Sequence, residues 1–243
     1  MTLRQYFDSL KSKTVAVIGI GVSNTPLLRL LLREGICVTA CDKRERSALG
    51  ELADELEKGG CRLQLGADYL HGLHEDVIFR TPGLRPDVPE LLQAQQQGSE
   101  LTSEMEVFFS VCPCTLIAVT GSDGKTTTTT IIAELLKAAG KTVHVGGNIG
   151  NPLLCQADEM RPEDYAVLEL SSFQLMTMRQ SPHIAVVTNL APNHLDMHKD
   201  MAEYVAAKEN IFRYQKTGDI AVFNLDNDIT REQGSRAAGQ VRY

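Results

Sequence analysis

Apolar residues in this chain fall into short runs separated by polar, glycine-bearing turns, and the runs alternate between two spacings. Residues 15–21 form a β-rich stretch, and residues 24–34 carry leucines at helical spacing up to Gly35, which suits a helix stop. Residues 36–42 predict the next strand and 47–58 the next helix, with shorter strands at 61–65 and 77–80. A second series opens near residue 101. It comprises a strand at 115–120, a helix at 126–139 ended by Gly140, strands at 143–145, 165–170 and 184–190, a helix at 200–214 and a strand at 220–224. Asp200 is the expected cap of that last helix, with Glu203 reaching back in a variant of the capping box. Alternating strands and helices predict an α/β fold of parallel sheets covered by helices, and near-continuous apolar strands suit burial on both faces. The boundary between the two series falls at 98–106. The second sheet looks unfinished at Tyr243, so a truncated chain is expected.

Composition narrows the class. Of 243 residues, 43% are hydrophobic and 23% charged, the balance of a soluble globular protein. A net charge of −7 argues against a general nucleic-acid or membrane-surface binder, both of which want a basic face, but leaves room for a local phosphate site. The apolar run at 27–32 is interrupted by Arg29 and too short to span a bilayer. The N-terminal MTLRQYFDSLKSK has no apolar core of a signal peptide. Cysteines at 37, 41, 61, 112, 114 and 155 include no C-x-x-C pair, so spacing indicates neither a zinc nor a redox motif, and most read as small buried residues of a reducing compartment. A cytoplasmic location is expected.

Two glycine-bearing loops carry the chemistry. Residues 115–130 read TLIAVTGSDGKTTTTT, a buried strand running into a Gly-rich turn, Lys-Thr, and a helix. Glycines let several N–H groups turn inward, and the helix N-terminus adds its positive dipole end. Lys125 can reach the outer phosphates of ATP, and the Thr126 hydroxyl can ligate Mg²⁺. The full Walker spacing would place Gly at 119, where the chain has Val119, so the loop is a short variant; a strand–helix turn that merely contains Gly-Lys-Thr is the bland alternative. Earlier, residues 15–24 read VAVIGIGVSN. Gly19 and Gly21 begin G-x-G-x-x-G, Asn24 replaces its third glycine, and Asp42 ends the following strand where a dinucleotide domain keeps its ribose acid. The turn suits a nucleotide diphosphate, or serves packing alone.

Three features place charged or polar groups where apolar ones belong. Glu169 lies inside the strand YAVLEL, where an unpaired carboxylate would be costly and a bound Mg²⁺ or a basic partner would relieve it. NHLDMH, residues 193–198, clusters imidazoles and a carboxylate just after a strand, or is a solvated turn. Lys208 falls on the apolar stripe of Met201, Tyr204, Val205, Ile211 and Phe212. Spacing alone favours a lysine that snorkels outward; a neutral, salt-bridged or carbamylated amine is the alternative.

Together these motifs resemble the Mur ligases of bacterial peptidoglycan synthesis. TGSDGKTTTTT resembles their ATP loop, and GGNIG at 146–150 the segment after the next strand. LELSSFQL at 168–175 is particularly close to the member that adds D-glutamate. NHLDMH and AAKENIF, residues 206–212, resemble the metal-binding histidine and modified-lysine segments, while GIGVSN and RTPG at 80–83 resemble UDP-binding turns. The resemblance spans almost the whole chain. It implies a Rossmann-like UDP-substrate domain over residues 1–100 and an incomplete P-loop-type ATP domain over 101–243, with a third, amino-acid-binding domain absent. It implies that ATP activates the carboxylate of UDP-N-acetylmuramoyl-L-alanine to an acyl phosphate, which the amine of D-glutamate attacks to form an amide. The protein's part is positioning and charge neutralisation.

Carried onto this chain, the resemblance implies catalytic roles for Lys125, Asn148, His194 and Lys208. ATP would lie along Gly121, Ser122, Asp123, Gly124, Lys125, Thr126, Thr127 and Asn224; Asp123 stands where the family more commonly has Asn. The UDP moiety would lie along Gly21, Val22, Ser23, Asp42, Lys43, Thr81 and Gly83. Thr126 and Glu169 would hold one Mg²⁺, and His194 with a carbamylated Lys208 a second. A monomer without nucleic-acid or membrane partners, unable to turn over alone, is expected. Two other classes compete: a nicotinamide-dependent oxidoreductase, suggested by Gly19, Gly21 and Asp42, and a non-catalytic nucleotide-binding module.

Overall fold

A strand that is apolar at every position has to be covered on both faces, and Val15–Ile18 (β1), with all four residues buried, lies at the centre of a parallel sheet. The computed structural model describes residues 1–150, 152–192 and 197–243. These divide into two units, Met1–Cys112 with Leu154–Asp158, and Pro113–Leu153 with Glu159–Tyr243.

The first unit begins with a helix, α1 (Leu3–Leu10), before β1. Thr2 and Gln5 form a reciprocal capping box, and Leu3, Phe7 and Leu10 bury one face. Then follow α2 (Asn24–Arg33), β2 (Val38–Asp42), α3 (Arg46–Leu49), α4 (Glu51–Lys58), β3 (Arg62–Leu65), β4 (Val77–Phe79), α5 (Pro89–Gln96), β5 (Glu100–Thr102) and α6 (Glu104–Val111). The single helix expected at 47–58 is instead α3 and α4, because Gly50 adopts φ 55°, ψ −132° and interrupts the ladder. Sheet order is β3-β2-β1-β4-β5, all parallel. The chain steps outward from β1 to β3 and then returns to the other side of β1 with β4. That reversal leaves a crevice beyond the C-terminal ends of β1 and β4.

The second unit contains β6 (Thr115–Thr120), α7 (Lys125–Ala138), β7 (Val143–Gly147), a 3₁₀ turn (Leu154–Glu159, mostly counted with the first unit), β8 (Tyr165–Glu169), α8 (Ser172–Leu175), β9 (Ile184–Val187), α9 (Met201–Arg213), β10 (Ile220–Phe223), α10 (Asp228–Gly234) and β11 (Gln240–Arg242). Its six-stranded sheet is parallel throughout, in the order β11-β10-β9-β6-β8-β7. Register sets Val119, Glu169 and Gly147 abreast at the C-terminal ends of three adjacent strands. Asp200 caps α9 by accepting the Glu203 N–H at 2.8 Å, whereas Glu203 takes the Lys199 N–H rather than that of the cap. Among the described residues no helix is long and apolar enough to cross a membrane.

Candidate active site

The loop after β6 is shaped by glycine and by distant partners. Gly121 has φ 153°, and a Cβ there would lie 1.9 Å from Thr188 Oγ1; Gly124 has φ 75° and caps α7. The Ser122 N–H donates to Asn189 O at 2.9 Å and the Asp123 N–H to Asn189 Oδ1 at 2.9 Å. Thr188 Oγ1 donates to Asp123 O at 2.6 Å. The Ser122 hydroxyl bonds Ala191 and Tyr204, so its side chain shapes the loop from inside rather than facing a ligand. The first intrahelical bond of α7 runs from Thr128 N–H to Gly124 O, which leaves the amides of the first turn open to an anion. Lys125 curls back over the loop, its Nζ 2.9 Å from Ser122 O.

Opposite that turn stands Glu169, 2% exposed. One carboxylate oxygen accepts from Thr126 Oγ1 at 2.6 Å and the other from Asn148 Nδ2 at 2.8 Å. The Asn148 N–H also donates to Glu169 O at 2.7 Å. Gly147 permits this approach, since with φ 95° a Cβ there would meet Glu169 O at 2.1 Å. Both donors to the carboxylate are neutral, so its charge stays available to a cation. Cis oxygens around octahedral Mg²⁺, bound at ~2.0–2.1 Å, lie about 2.9 Å apart. The adjacent Thr126 and Glu169 oxygens, now 2.6 Å apart, are hard donors of the class magnesium takes and need to part by only about 0.3 Å to share one.

Lys208 does not snorkel. It is 2% exposed, and its amine points inward to Thr120 Oγ1 at 3.1 Å and Gly121 O at 3.0 Å, 4.9 Å from the centre of the Tyr204 ring. Burial, reinforced by the Lys125 charge and opposed by Glu169, brings its pKa down to about 7. α9 packs against β6, and the apolar stripe that makes this contact carries Lys208 inward with it. Lys125, Asn148, Ser171, Ser172, Phe173 and Lys208 line a cavity of about 210 Å³. Beside it the His198 ring stacks on Phe173, and its Nε2 lies 2.8 Å from Ser172 Oγ.

The first unit has its own cavity, of about 280 Å³, at the crevice beyond β1 and β4. Asp42, Lys43, Thr81 and Gly83 line it, with Gly19, Arg44, Tyr69 and Leu84. Gly21, Val22 and Ser23 do not; they form the exposed turn entering α2, and Val22 is 84% exposed. Asn24, in place of the third glycine, is buried and donates to Ile18 O at 2.9 Å, which fixes the turn. Arg80 of the RTPG segment is buried and donates to the carbonyls of Thr81, Pro82 and Leu84, holding that loop in shape. Asp42 is already saturated: it accepts from Ile20 N, Arg44 N and the Arg44 guanidinium. Burial acts to raise its pKa, but these bonds, led by the Arg44 side chain, win and hold it at about 2.

Asn224 does not line the Lys125 cavity; its side chain accepts the Asp226 N–H at 3.0 Å in the turn after β10. His194 lies outside the described residues. Sequence reasoning passed over Tyr204, Thr188, Asn189 and Arg44. Only the coincidence of Tyr204 with the Lys208 stripe hinted at any of them.

Residues 119–242 match the family described as Mur ligase middle domain, and residues 13–103 match Mur ligase MurD-like, N-terminal domain. The chain belongs to the Mur ligase family. It is 53% identical over 242 residues to the UDP-N-acetylmuramoylalanine--D-glutamate ligase of Acetivibrio thermocellus, an overlap covering 99% of this chain and 52% of that protein. The enzyme of the same name from Clostridium novyi is 52% identical over 241 residues, covering 99% and 53%. The chain thus spans about half the length of the curated relatives it matches. The fold is shared with the UDP-N-acetylmuramate:L-alanyl-gamma-D-glutamyl-meso-diaminopimelate ligase of Neisseria meningitides, at TM-score 0.60 and 19% identity over 95% of this chain and 77% of that one. It is also shared with the UDP-N-acetylmuramate-alanine ligase of Thermotoga maritima, at TM-score 0.51 and 23% identity over 91% and 51%.

Proposed function

We propose that this chain supplies the nucleotide-handling and sugar-nucleotide-handling parts of an ATP-dependent ligase that joins D-glutamate to UDP-N-acetylmuramoyl-L-alanine. The observation carrying the proposal is the convergence of Lys125, Thr126, Asn148, Glu169 and Lys208 beyond the ends of β6, β7 and β8. The 53% identity to a ligase of that name supports the choice of substrates. In this reading the open amides of the first turn of α7 bind the ATP phosphates and Lys125 swings from Ser122 O onto them. Magnesium, held by Thr126 and Glu169 and at a second position by His194 and a carbamylated Lys208, would neutralise phosphate charge. Asn148 orients the reacting carboxylate against the terminal phosphate. The acyl phosphate so formed is attacked by the D-glutamate amine, the new amide takes the acyl carbon, and phosphate leaves. The first-unit cavity takes the UDP moiety between Asp42, Lys43, Thr81 and Gly83.

Titrating MgATP into the chain by calorimetry tests this reading. Loss of a charged hydrogen-bonding group costs about 1.5–3 kcal/mol, so Lys125→Ala should weaken MgATP roughly 10- to 100-fold while leaving the affinity for the UDP-sugar peptide unchanged. Equal MgATP affinity in both proteins would overturn it.

A further inference from the structure

A second cluster of ligating side chains lies at the other ends of the same strands. Cys114 immediately precedes β6, His144 is the second residue of β7, and Asp164 immediately precedes β8. Parallel register explains why they meet. Thr115 pairs with Tyr165, and Tyr165 with Val143. One step back, Cys114 therefore lies abreast of Asp164, and the Thr115 N–H donates to Asp164 O at 3.2 Å. Side chains alternate along a strand, so residues 142 and 144 share a face, and that face is the one carrying 114 and 164. One ligand atom from each of the three side chains lies within 4.8 Å of the others.

The chemistry of the set is distinctive. Cys114 is a reduced cysteine, 2% exposed, and Asp164 is 5% exposed. His144 Nε2 lies 2.9 Å from Asp164 Oδ2, and the Arg161 N–H also donates to that oxygen at 3.1 Å. Thiolate, imidazole and carboxylate are ligands of a tetrahedral zinc site, with distances of about 2.3 Å to sulfur and 2.0–2.2 Å to nitrogen and oxygen. A magnesium ion would avoid the sulfur. The backbone donor on Asp164 is the outer support that orients a ligating carboxylate. The side chain of His144 is 19% exposed, so solvent reaches one edge of the cluster and gives an ion an entry path.

We propose that Cys114, His144 and Asp164 form a zinc-class divalent cation site that clamps the N-terminal ends of β6, β7 and β8. Binding displaces the thiol proton to solvent and opens the His144–Asp164 hydrogen bond. The positions 114, 144 and 164 match no short spacing motif, because each ligand comes from a different strand start.

Cobalt(II) is the probe. One equivalent added to the metal-free chain should produce the thiolate-to-metal charge-transfer absorption, which the oxygen-rich site at Thr126 and Glu169 cannot produce. Cys114→Ser should abolish that band, and both Cys114→Ser and Asp164→Asn should weaken zinc, measured against a chromophoric chelator, at least roughly tenfold. Lys125→Ala should leave the band unchanged, which separates this site from the proposed nucleotide site. The urea midpoint of metal-free Cys114→Ser checks that the fold survives, with His144→Gln as a second variant. No band in the parent chain, or a band that persists in Cys114→Ser, overturns the proposal.

Discussion

The amine of Lys208 is held among a hydroxyl, a carbonyl and an aromatic ring, with a pKa brought down to about 7. Near neutral pH a large share of it is therefore the free amine, the form that adds carbon dioxide. Exposure to carbon-13 bicarbonate should give a carbamate resonance in the parent chain and none in Lys208→Arg; a spectrum without that resonance would remove the modified-lysine reading. At this scale the sequence was partly legible. Glu169 stood out because a carboxylate in an otherwise apolar strand demands a partner. Lys208 shared the apolar stripe of its helix, but spacing along one helix cannot say whether a flexible side chain leaves or enters the core. Thr188, Asn189 and Arg44 gave no signal, since each acts through a hydrogen bond that only the fold creates.

Among elements, the parallel strands and the Gly-loop helices follow from period and punctuation, and the sequence located most of them to within a few residues. Short elements escaped. α1 is largely polar and rests on three buried residues, and α3 separates from α4 through one glycine dihedral that composition does not encode. Close approach between β7 and β8 makes Gly147 a sensitive position. Gly147→Ala should lower the urea midpoint by the equivalent of at least roughly 1–3 kcal/mol and weaken MgATP binding, because Asn148 and Glu169 would be pushed apart. An unchanged midpoint would show that the strand ends yield more easily than their packing indicates. In α6, burial pushes the Glu104 carboxyl up to about 7, despite the Leu154 N–H that it accepts at 2.9 Å. Its folded pKa exceeds the ordinary 4.5, so the folded state binds the extra proton between those values. Stability contributed by the protonated form is present below pH 4.5 and declines as pH rises to about 7. Urea melts across that window should show a falling midpoint in the parent chain and a flatter profile in Glu104→Gln.

Across the whole molecule, two parallel sheets each place a cavity beyond the C-terminal ends of their strands, one lined by Asp42, Lys43, Thr81 and Gly83, the other by Lys125, Asn148 and Lys208. Hydrogen exchange should report them separately. MgATP should slow amides at 121–128, and the UDP-sugar peptide those at 42–44 and 81–84; protection of one segment by both ligands would contradict the division of labour. The α/β architecture was readable from alternation alone, whereas the residues surrounding each cavity were not, because strand order is a property of crossovers rather than of any local stretch. The anchoring of the Gly-Lys-Thr loop has a temporal side. Its contacts to Thr188, Asn189, Ala191 and Tyr204 join residues 65 to 82 positions apart. A growing polypeptide emerging from the ribosome therefore carries the Gly-Lys-Thr segment long before the groups that give it form, so the folded shape of the loop is complete late in synthesis, only after α9 has been made.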